Sequence, residues 1–154
     1  MELILNRPLQ WFVCQLHANE LPLRHPFAHV DRTTTGPRNL TGEIRKSLAG
    51  CEKLSVVSST PIENTLCEVT NKKDLSTDQL YLMEICEVIN CCHCRESLLK
   101  IKPGKVCHSR WLRIVNRILR FNVAHENSSE ALLTLTTFIG KVYASMWFKI
   151  KTKL

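Results

Sequence analysis

The sequence predicts a mainly α-helical chain with one short β element near its N-terminus. Three observations support this prediction. A nearly continuous apolar run, Trp11–Leu16, is bounded by Pro8 and His17, which is typical of a strand buried on both faces. A helix-opening pattern stands at Ser76-x-x-Gln79. Two later segments, from about residue 109 and from about residue 129, repeat apolar residues at helical spacing.

Size and composition fit one globular domain. The chain has 154 residues, of which 44% are apolar and 23% charged, enough to bury a single core. It has eight cysteines, and no secretory signal is legible at the N-terminus. We therefore expect a reducing compartment, the nucleus or the cytoplasm, where cysteine is a small buried hydrophobe or a metal ligand.

Charge is unevenly distributed along the chain. Residues 1–100 hold 11 Lys/Arg and 12 Asp/Glu, a net charge of −1, whereas residues 101–154 hold 10 and 2, a net charge of +8. Such asymmetry predicts a polyanionic partner for the C-terminal part. A solvated helix face, or a surface that meets an acidic partner, explains the same asymmetry.

The first 75 residues divide into two predicted parts. Residues 1–31 hold the strand and a helix that Asn19 can cap, and Pro26 is expected to end or kink this helix. Residues 32–75 read as a loop-rich connector. Within it a short helix is predicted over Gly42–Ala49, capped by Thr41 and closed by Gly50.

Residues 76–154 form the predicted helical region. The first helix runs from Ser76 to about Asn90, and Pro103-Gly104 breaks the chain after it. The second runs from about Ser109 to Val123, and its predicted apolar face is Trp111, Leu112, Val115, Ile118 and Leu119.

The third helix is predicted from about Ser129 to Trp147. Its apolar stripe is Leu132, Leu135, Phe138, Ile139, Val142 and Met146. The segment 131–150 has about the length of a membrane span, roughly 20 residues. Because Lys141, Gly140 and several Thr and Ser interrupt it, we interpret it as a packed helix and expect no membrane partner.

Four arginines follow the predicted face opposite the apolar stripe of the second helix. They are Arg110, Arg113, Arg117 and Arg120. Guanidinium groups bind phosphate in a bidentate manner, so this stripe is a candidate for sequence-independent binding of DNA. A solvated face is the alternative interpretation.

A cluster of Cys and His is a candidate zinc site. Cys91-x-x-Cys94 has the spacing of half a tetrahedral site, and Cys107 and His108 can supply the remaining two ligands. Because the second pair is adjacent in sequence, its geometry is awkward for one metal ion. Packed cysteines are the alternative.

No common enzyme signature is present, and we predict that the chain is not an enzyme. One interpretation of Cys14-x-x-His17 is a nucleophile and its base. In a strand, however, positions three apart point to opposite faces. A packed Cys beside a hydrogen-bonded His is therefore the preferred interpretation.

Several sequence blocks resemble a known group of proteins. The blocks are Arg7–His25, Asp31–Gly36, Asp74–Gln79, Pro103–Lys105, His108–Leu112, Asn116–Arg120 and Lys141–Ala144. They resemble uncharacterised, transposable-element-derived proteins that occur in many copies in arthropod genomes. Those proteins are in turn similar to RNase H-fold DNA transposases of the hAT type, mainly through the Cys14-x-x-His17 block.

The resemblance implies a fragment of an RNase H-like fold together with the helical region inserted in that fold. It implies that the acidic residues that hold two catalytic metal ions would precede Met1 and follow Leu154. The sequence thus predicts a catalytically incomplete transposase-derived fragment that binds nucleic acid through its basic C-terminal helices. The alternative is a small helical interaction module with zinc at the Cys/His cluster. The oligomeric state is not predictable from these patterns.

Overall fold

The computed structural model describes residues 15–31, 43–56, 61–64, 72–91, 101–105 and 111–151. Within these ranges the chain is helical with connecting turns and contains no strand, which confirms the mainly helical prediction. Of the predicted strand, residues 11–14 lie outside the described ranges. Its last two residues, Gln15 and Leu16, belong to a helix, so the strand prediction is wrong for these two positions.

Helix α1 spans Gln15–Asp31 and contains two prolines, Pro22 and Pro26. Pro26 does not end the helix, which continues to Asp31, and the alternative of a kink at Pro26 stays a prediction. Asn19 lies inside the helix rather than at its cap. A proline removes one backbone hydrogen bond and crowds one turn. That cost is offset by burial of Leu23 and Phe27, four residues apart and fully buried.

Helix α2 spans Glu43–Leu48, within the predicted range 42–49. Gly50 follows with φ at 85°, the left-handed conformation that glycine adopts without strain. The backbone N–H of Ile44 donates to Asp31 Oδ1 at 3.0 Å. The last residue of α1 therefore satisfies an N–H in the first turn of α2, and a 3-10 turn, Cys51–Lys53, follows.

Helix α3 spans Thr77–Cys91 and begins at the predicted capping box. Gln79 N–H donates to Ser76 Oγ at 3.4 Å, and Ser76 N–H donates to Gln79 Oε1 at 2.9 Å. A second 3-10 turn, Lys72–Asp74, precedes the helix. The segment 61–64 lies against the C-terminal half of α3, where Ile62 N–H donates to Ile89 O at 3.2 Å.

Helix α4 spans Trp111–Val123 and lies at the centre of the fold. It packs against α2, α3, the first 3-10 turn and the helix that follows it. The predicted apolar face is buried at all five positions, Trp111, Leu112, Val115, Ile118 and Leu119.

The last helix is continuous but not uniform. It consists of α5, Glu130–Phe138, a π turn, Ile139–Tyr143, and α6, Ala144–Lys151. Ser129 caps it, because the Leu132 N–H donates to Ser129 Oγ at 3.3 Å. The predicted start is therefore confirmed.

The π turn changes which residues face the core. A π turn holds one more residue per turn than an α turn, so the buried face moves by one position beyond it. Leu132, Leu135 and Ile139 are buried as predicted, but Val142 is 46% exposed and Tyr143 is 1% exposed. After the turn the core side chains are Tyr143, Ala144, Trp147 and Phe148, and the predicted positions Val142 and Met146 are not among them.

One hydrophobic cluster joins all the described helices, from Leu23 and Phe27 in α1 to Phe148 in α6. The predicted boundaries at residues 31 and 75 stay a prediction. The stretch Glu130–Lys149 is long and apolar enough to cross a membrane by length and composition, and half of its window is buried within the protein.

Candidate functional site

The arginine stripe predicted on α4 is largely inside the protein. Arg110 lies outside the described residues, and the side chain of Arg113 is 30% exposed. Arg117 and Arg120 are 3% and 5% exposed. The expectation of a solvated face is therefore wrong for Arg117 and Arg120.

Arg117 joins three separate stretches of chain. Its Nη1 donates to the Leu48 carbonyl oxygen at 2.7 Å and to Glu52 Oε2 at 2.9 Å, and its Nε donates to the Gly104 carbonyl oxygen at 2.8 Å. These are charge-assisted hydrogen bonds, stronger than neutral ones. The guanidinium fastens the end of α2 and the loop at 101–105 to α4.

Two titratable groups beside Arg117 respond to this environment. The pKa of Glu52 is lowered by a hydrogen bond from its own backbone N–H and by the Arg117 charge. Burial raises the pKa of the Cys51 thiol, although Arg117 and Arg120 oppose the rise. Burial also raises the pKa of Cys86, to about 12. Cys51 and Cys86 are thus protonated packing residues, because the thiolate is the reactive form of cysteine.

Arg120 is buried with few partners. Its Nη2 donates to the Leu54 carbonyl oxygen at 2.8 Å, whereas its Nε and Nη1 atoms are buried without an acceptor. The sequence carries no signal for this burial, because Arg113, Arg117 and Arg120 share one polar face of a strongly amphipathic helix.

The first turns of α3 and α4 meet at one end of the molecule. Arg113 Nε donates to Asp78 Oδ2 at 3.0 Å, and Asn116 Nδ2 donates to the Asp78 carbonyl oxygen at 2.8 Å. A Cβ added at Gly104 would lie 2.9 Å from both Arg113 Nε and Asp78 Oδ1. The loop at 101–105 therefore covers this ion pair.

Exposed cations lie on the segments next to this junction. Lys102 and Lys105 lie within two residues of Gly104, Lys72 lies in the 3-10 turn before α3, and all three are exposed. We call Lys72, Lys102, Lys105 and Arg113 the basic end. The sequence prediction missed it because these residues come from three segments that only the fold brings together.

The two cysteine motifs fall mostly outside the described residues. Cys14 is not described, and for His17 the structure gives only its place in α1. Cys91 is the last residue of α3 and is exposed, while Cys94, Cys107 and His108 are not described. Among the described residues no three His, Cys, Asp or Glu side chains are placed to hold a metal ion. The zinc site stays a prediction.

A cleft of about 230 Å³ opens where α2 meets the start of α5. Apolar Ile44, Phe121 and Leu132 line it together with polar His125 and Ser128. His125 Nδ1 lies 2.9 Å from the Phe121 carbonyl oxygen, which can only accept, so Nδ1 carries the hydrogen. Nε2 is then a hydrogen-bond acceptor in the neutral ring. No sequence motif marks this cleft.

Comparison with known protein families, curated proteins and solved structures finds no match to this chain.

Proposed function

We propose that the chain is a transposase-derived unit without catalytic activity of its own, which binds nucleic acid through the basic end. The proposal rests on exposed Lys102 and Lys105, which flank Gly104 where the loop lies against the Arg113–Asp78 pair. Exposed Lys72, in the turn before α3, adds a third cation. The RNase H-like origin of residues 1–31 belongs to the same proposal, and it is supported by the resemblance of Cys14-x-x-His17 to the hAT block.

Helix geometry favours anions at this end. Both α3 and α4 begin here, and the N-terminus of a helix carries a partial positive charge. The side chains at the junction comprise the cations Lys72, Lys73, Lys102, Lys105 and Arg113 and the carboxylates Asp74 and Asp78, a net charge of +3. This sum already includes Asp78, which is paired with Arg113. The net positive charge favours binding of phosphates.

The binding proposed here differs from that of a regular arginine stripe. Arg117 donates to Leu48, Glu52 and Gly104 inside the protein, so its guanidinium supports the loop that presents Lys102 and Lys105. Lysine contacts to phosphate are sequence-independent and sensitive to salt. We therefore expect the protein to bind duplexes of different sequence with similar affinity.

The test is fluorescence anisotropy with a labelled 20-base-pair duplex at low ionic strength, followed by a salt titration. Lys102→Glu with Lys105→Glu is expected to weaken binding about tenfold or more and to reduce the salt slope by about 2. The matched control is Arg24→Glu with Lys141→Glu, which changes the net charge equally at exposed positions of α1 and the π turn. The control is expected to retain most of the affinity.

Two results would contradict the proposal. One is undetectable or salt-insensitive binding of the wild-type chain to duplex DNA. The other is an equal loss of affinity in both double variants, because equal losses assign binding to the overall charge and not to the basic end.

A further inference from the structure

Two arginines one turn apart are buried in the bundle, and within the described part of the chain only Arg117 meets a carboxylate. Arg117 donates to Glu52 Oε2 at 2.9 Å. Arg120 is 5% exposed, and its Nη2 donates to the neutral Leu54 carbonyl oxygen at 2.8 Å. Among the described residues, the charge of Arg120 is therefore not matched by a carboxylate.

Unsatisfied donors lie around Arg120. Its Nε and Nη1 atoms have no acceptor. The buried Tyr81 hydroxyl lies within hydrogen-bond reach of the Arg120 side chain, and its own hydrogen has no acceptor. Burial raises the pKa of Tyr81, and the charges of Arg120 and Arg117 oppose that rise. The Tyr81 phenol thus lies within the field of both guanidinium groups, on the face of α3 that packs against α4.

An interior guanidinium without a counter-charge is strongly unfavourable, because it has lost its hydration and gained no ion pair. A water molecule would satisfy one donor but would supply no charge. Arg120, Arg117, Tyr81 and Cys51 are each exposed by 5% or less, so a branched or hydrated anion would not reach them. A small, fully dehydrated anion meets both requirements.

We propose that Arg120 and Tyr81 hold one small monovalent anion of the halide class inside the bundle. The anion accepts hydrogen bonds from the Arg120 guanidinium and from the Tyr81 hydroxyl, and it neutralises the charge that Glu52 leaves unpaired. This site is structural, and it is independent of nucleic-acid binding at the basic end.

The test is a series of thermal melts of the full chain in sodium chloride and in sodium gluconate at constant total ionic strength. Chloride is the probe, and gluconate is too large for an enclosed site. Above the dissociation constant, each tenfold increase in chloride is expected to raise Tm by roughly 3–5 °C. Chloride-35 NMR line broadening by the native protein gives a second readout.

Variants separate the proposed site from a general salt effect. Arg120→Met is expected to abolish both the chloride dependence of Tm and the line broadening, whereas Arg24→Met, which removes an exposed charge from α1, is expected to keep both. If Arg120→Met does not fold, Tyr81→Phe tests the same site, and it is expected to shift the chloride dependence about tenfold to higher concentration.

Two results would overturn the proposal. Equal Tm values of the wild type in chloride and gluconate, without line broadening, would mean that Arg120 and Tyr81 bind no chloride. A chloride dependence that survives unchanged in Arg120→Met or in Tyr81→Phe would mean that chloride acts elsewhere.

Discussion

At Gly104 the backbone passes so close to an ion pair that a methyl group does not fit. A Cβ there would lie 2.9 Å from Arg113 Nε and from Asp78 Oδ1, and the Gly104 carbonyl oxygen already accepts from Arg117. We expect Gly104→Ala to lower the free energy of unfolding by about 1–3 kcal/mol, as overpacking does. Urea denaturation followed by circular dichroism measures the change.

Gly140 provides the matched comparison for Gly104. A Cβ at Gly140 meets its nearest neighbour, Asn64 Cβ, at 3.6 Å, which is ordinary contact. Because alanine favours the helix, Gly140→Ala is expected to raise the free energy of unfolding by about 0.5–1 kcal/mol. Equal effects of the two substitutions would show that the loop at 101–105 does not lie against Arg113.

Glu52 is expected to make the free energy of unfolding depend on pH. Its pKa is lowered in the folded state by its own backbone N–H and by Arg117. A carboxyl of this kind stabilises the fold above its unfolded pKa, near 4.5, and that stabilisation is lost as the pH falls through the folded pKa. We expect Glu52→Gln, which removes the charge paired with the buried Arg117, to cost about 1–3 kcal/mol at pH 7. This cost is expected to disappear at the lowest pH at which the protein stays folded.

The measurement for Glu52 is urea denaturation of the wild type and of Glu52→Gln at a series of pH values. Glu63→Gln serves as the control, because Glu63 is exposed in the segment 61–64. A difference between wild type and Glu52→Gln that stays constant across the whole pH range would contradict the role given to this carboxylate.

At the scale of the element, the π turn at Ile139–Tyr143 holds one residue more than a regular helix needs. Deleting Lys141, which is exposed, is expected to convert the turn to α-helix while Ile139 and Tyr143 both keep facing the core. We expect this deletion to change the free energy of unfolding by less than about 2 kcal/mol. Circular dichroism is expected to show the same helical content.

Deleting Thr134 from the regular part of the same helix is the control for Lys141. Each helical residue turns the helix by about 100°, so this deletion rotates Leu135 and Ile139 away from the core. A much larger loss of stability is expected, measured by the same urea titration. Equal losses of stability in the two deletion variants would show that the helix has no π turn at Ile139–Tyr143.

The sequence predicts well those features that are local. Ser76 and Gln79 lie three residues apart and form their capping box as expected. Burial of Arg117 was not predictable from the stripe pattern, because one of its acceptors, the Leu48 carbonyl oxygen, lies 69 residues away in sequence. The exposure of Val142 was likewise not predictable, because it follows from the π turn at Ile139–Tyr143, which no residue pattern marks.

At the scale of the molecule, α1 belongs to the same core as the later helices. Phe27 is fully buried, and its ring packs edge to face with Trp111 of α4, at a centroid distance of 6.1 Å. Phe27→Ala is expected to cost about 3–5 kcal/mol. We expect tryptophan fluorescence and far-ultraviolet circular dichroism to report the same lowered Tm.

Leu21→Ala is the control for Phe27, because Leu21 lies in the same helix and is 47% exposed. It is expected to leave Tm almost unchanged. If residues 1–31 formed a separate unit, Phe27→Ala would lower the Tm of that unit alone. The helical region after residue 76 would then keep its original Tm.

The contacts of Arg117 also bear on how the chain reaches this structure. Its bonds to Leu48 and Glu52 close loops of 69 and 65 residues, and contacts between such distant residues form only after a large loss of chain entropy. Local features, such as the capped start of α3, need no such closure. We therefore expect the contacts of Arg117 to form late in folding. They are then expected to lower the rate of unfolding more than they raise the rate of folding.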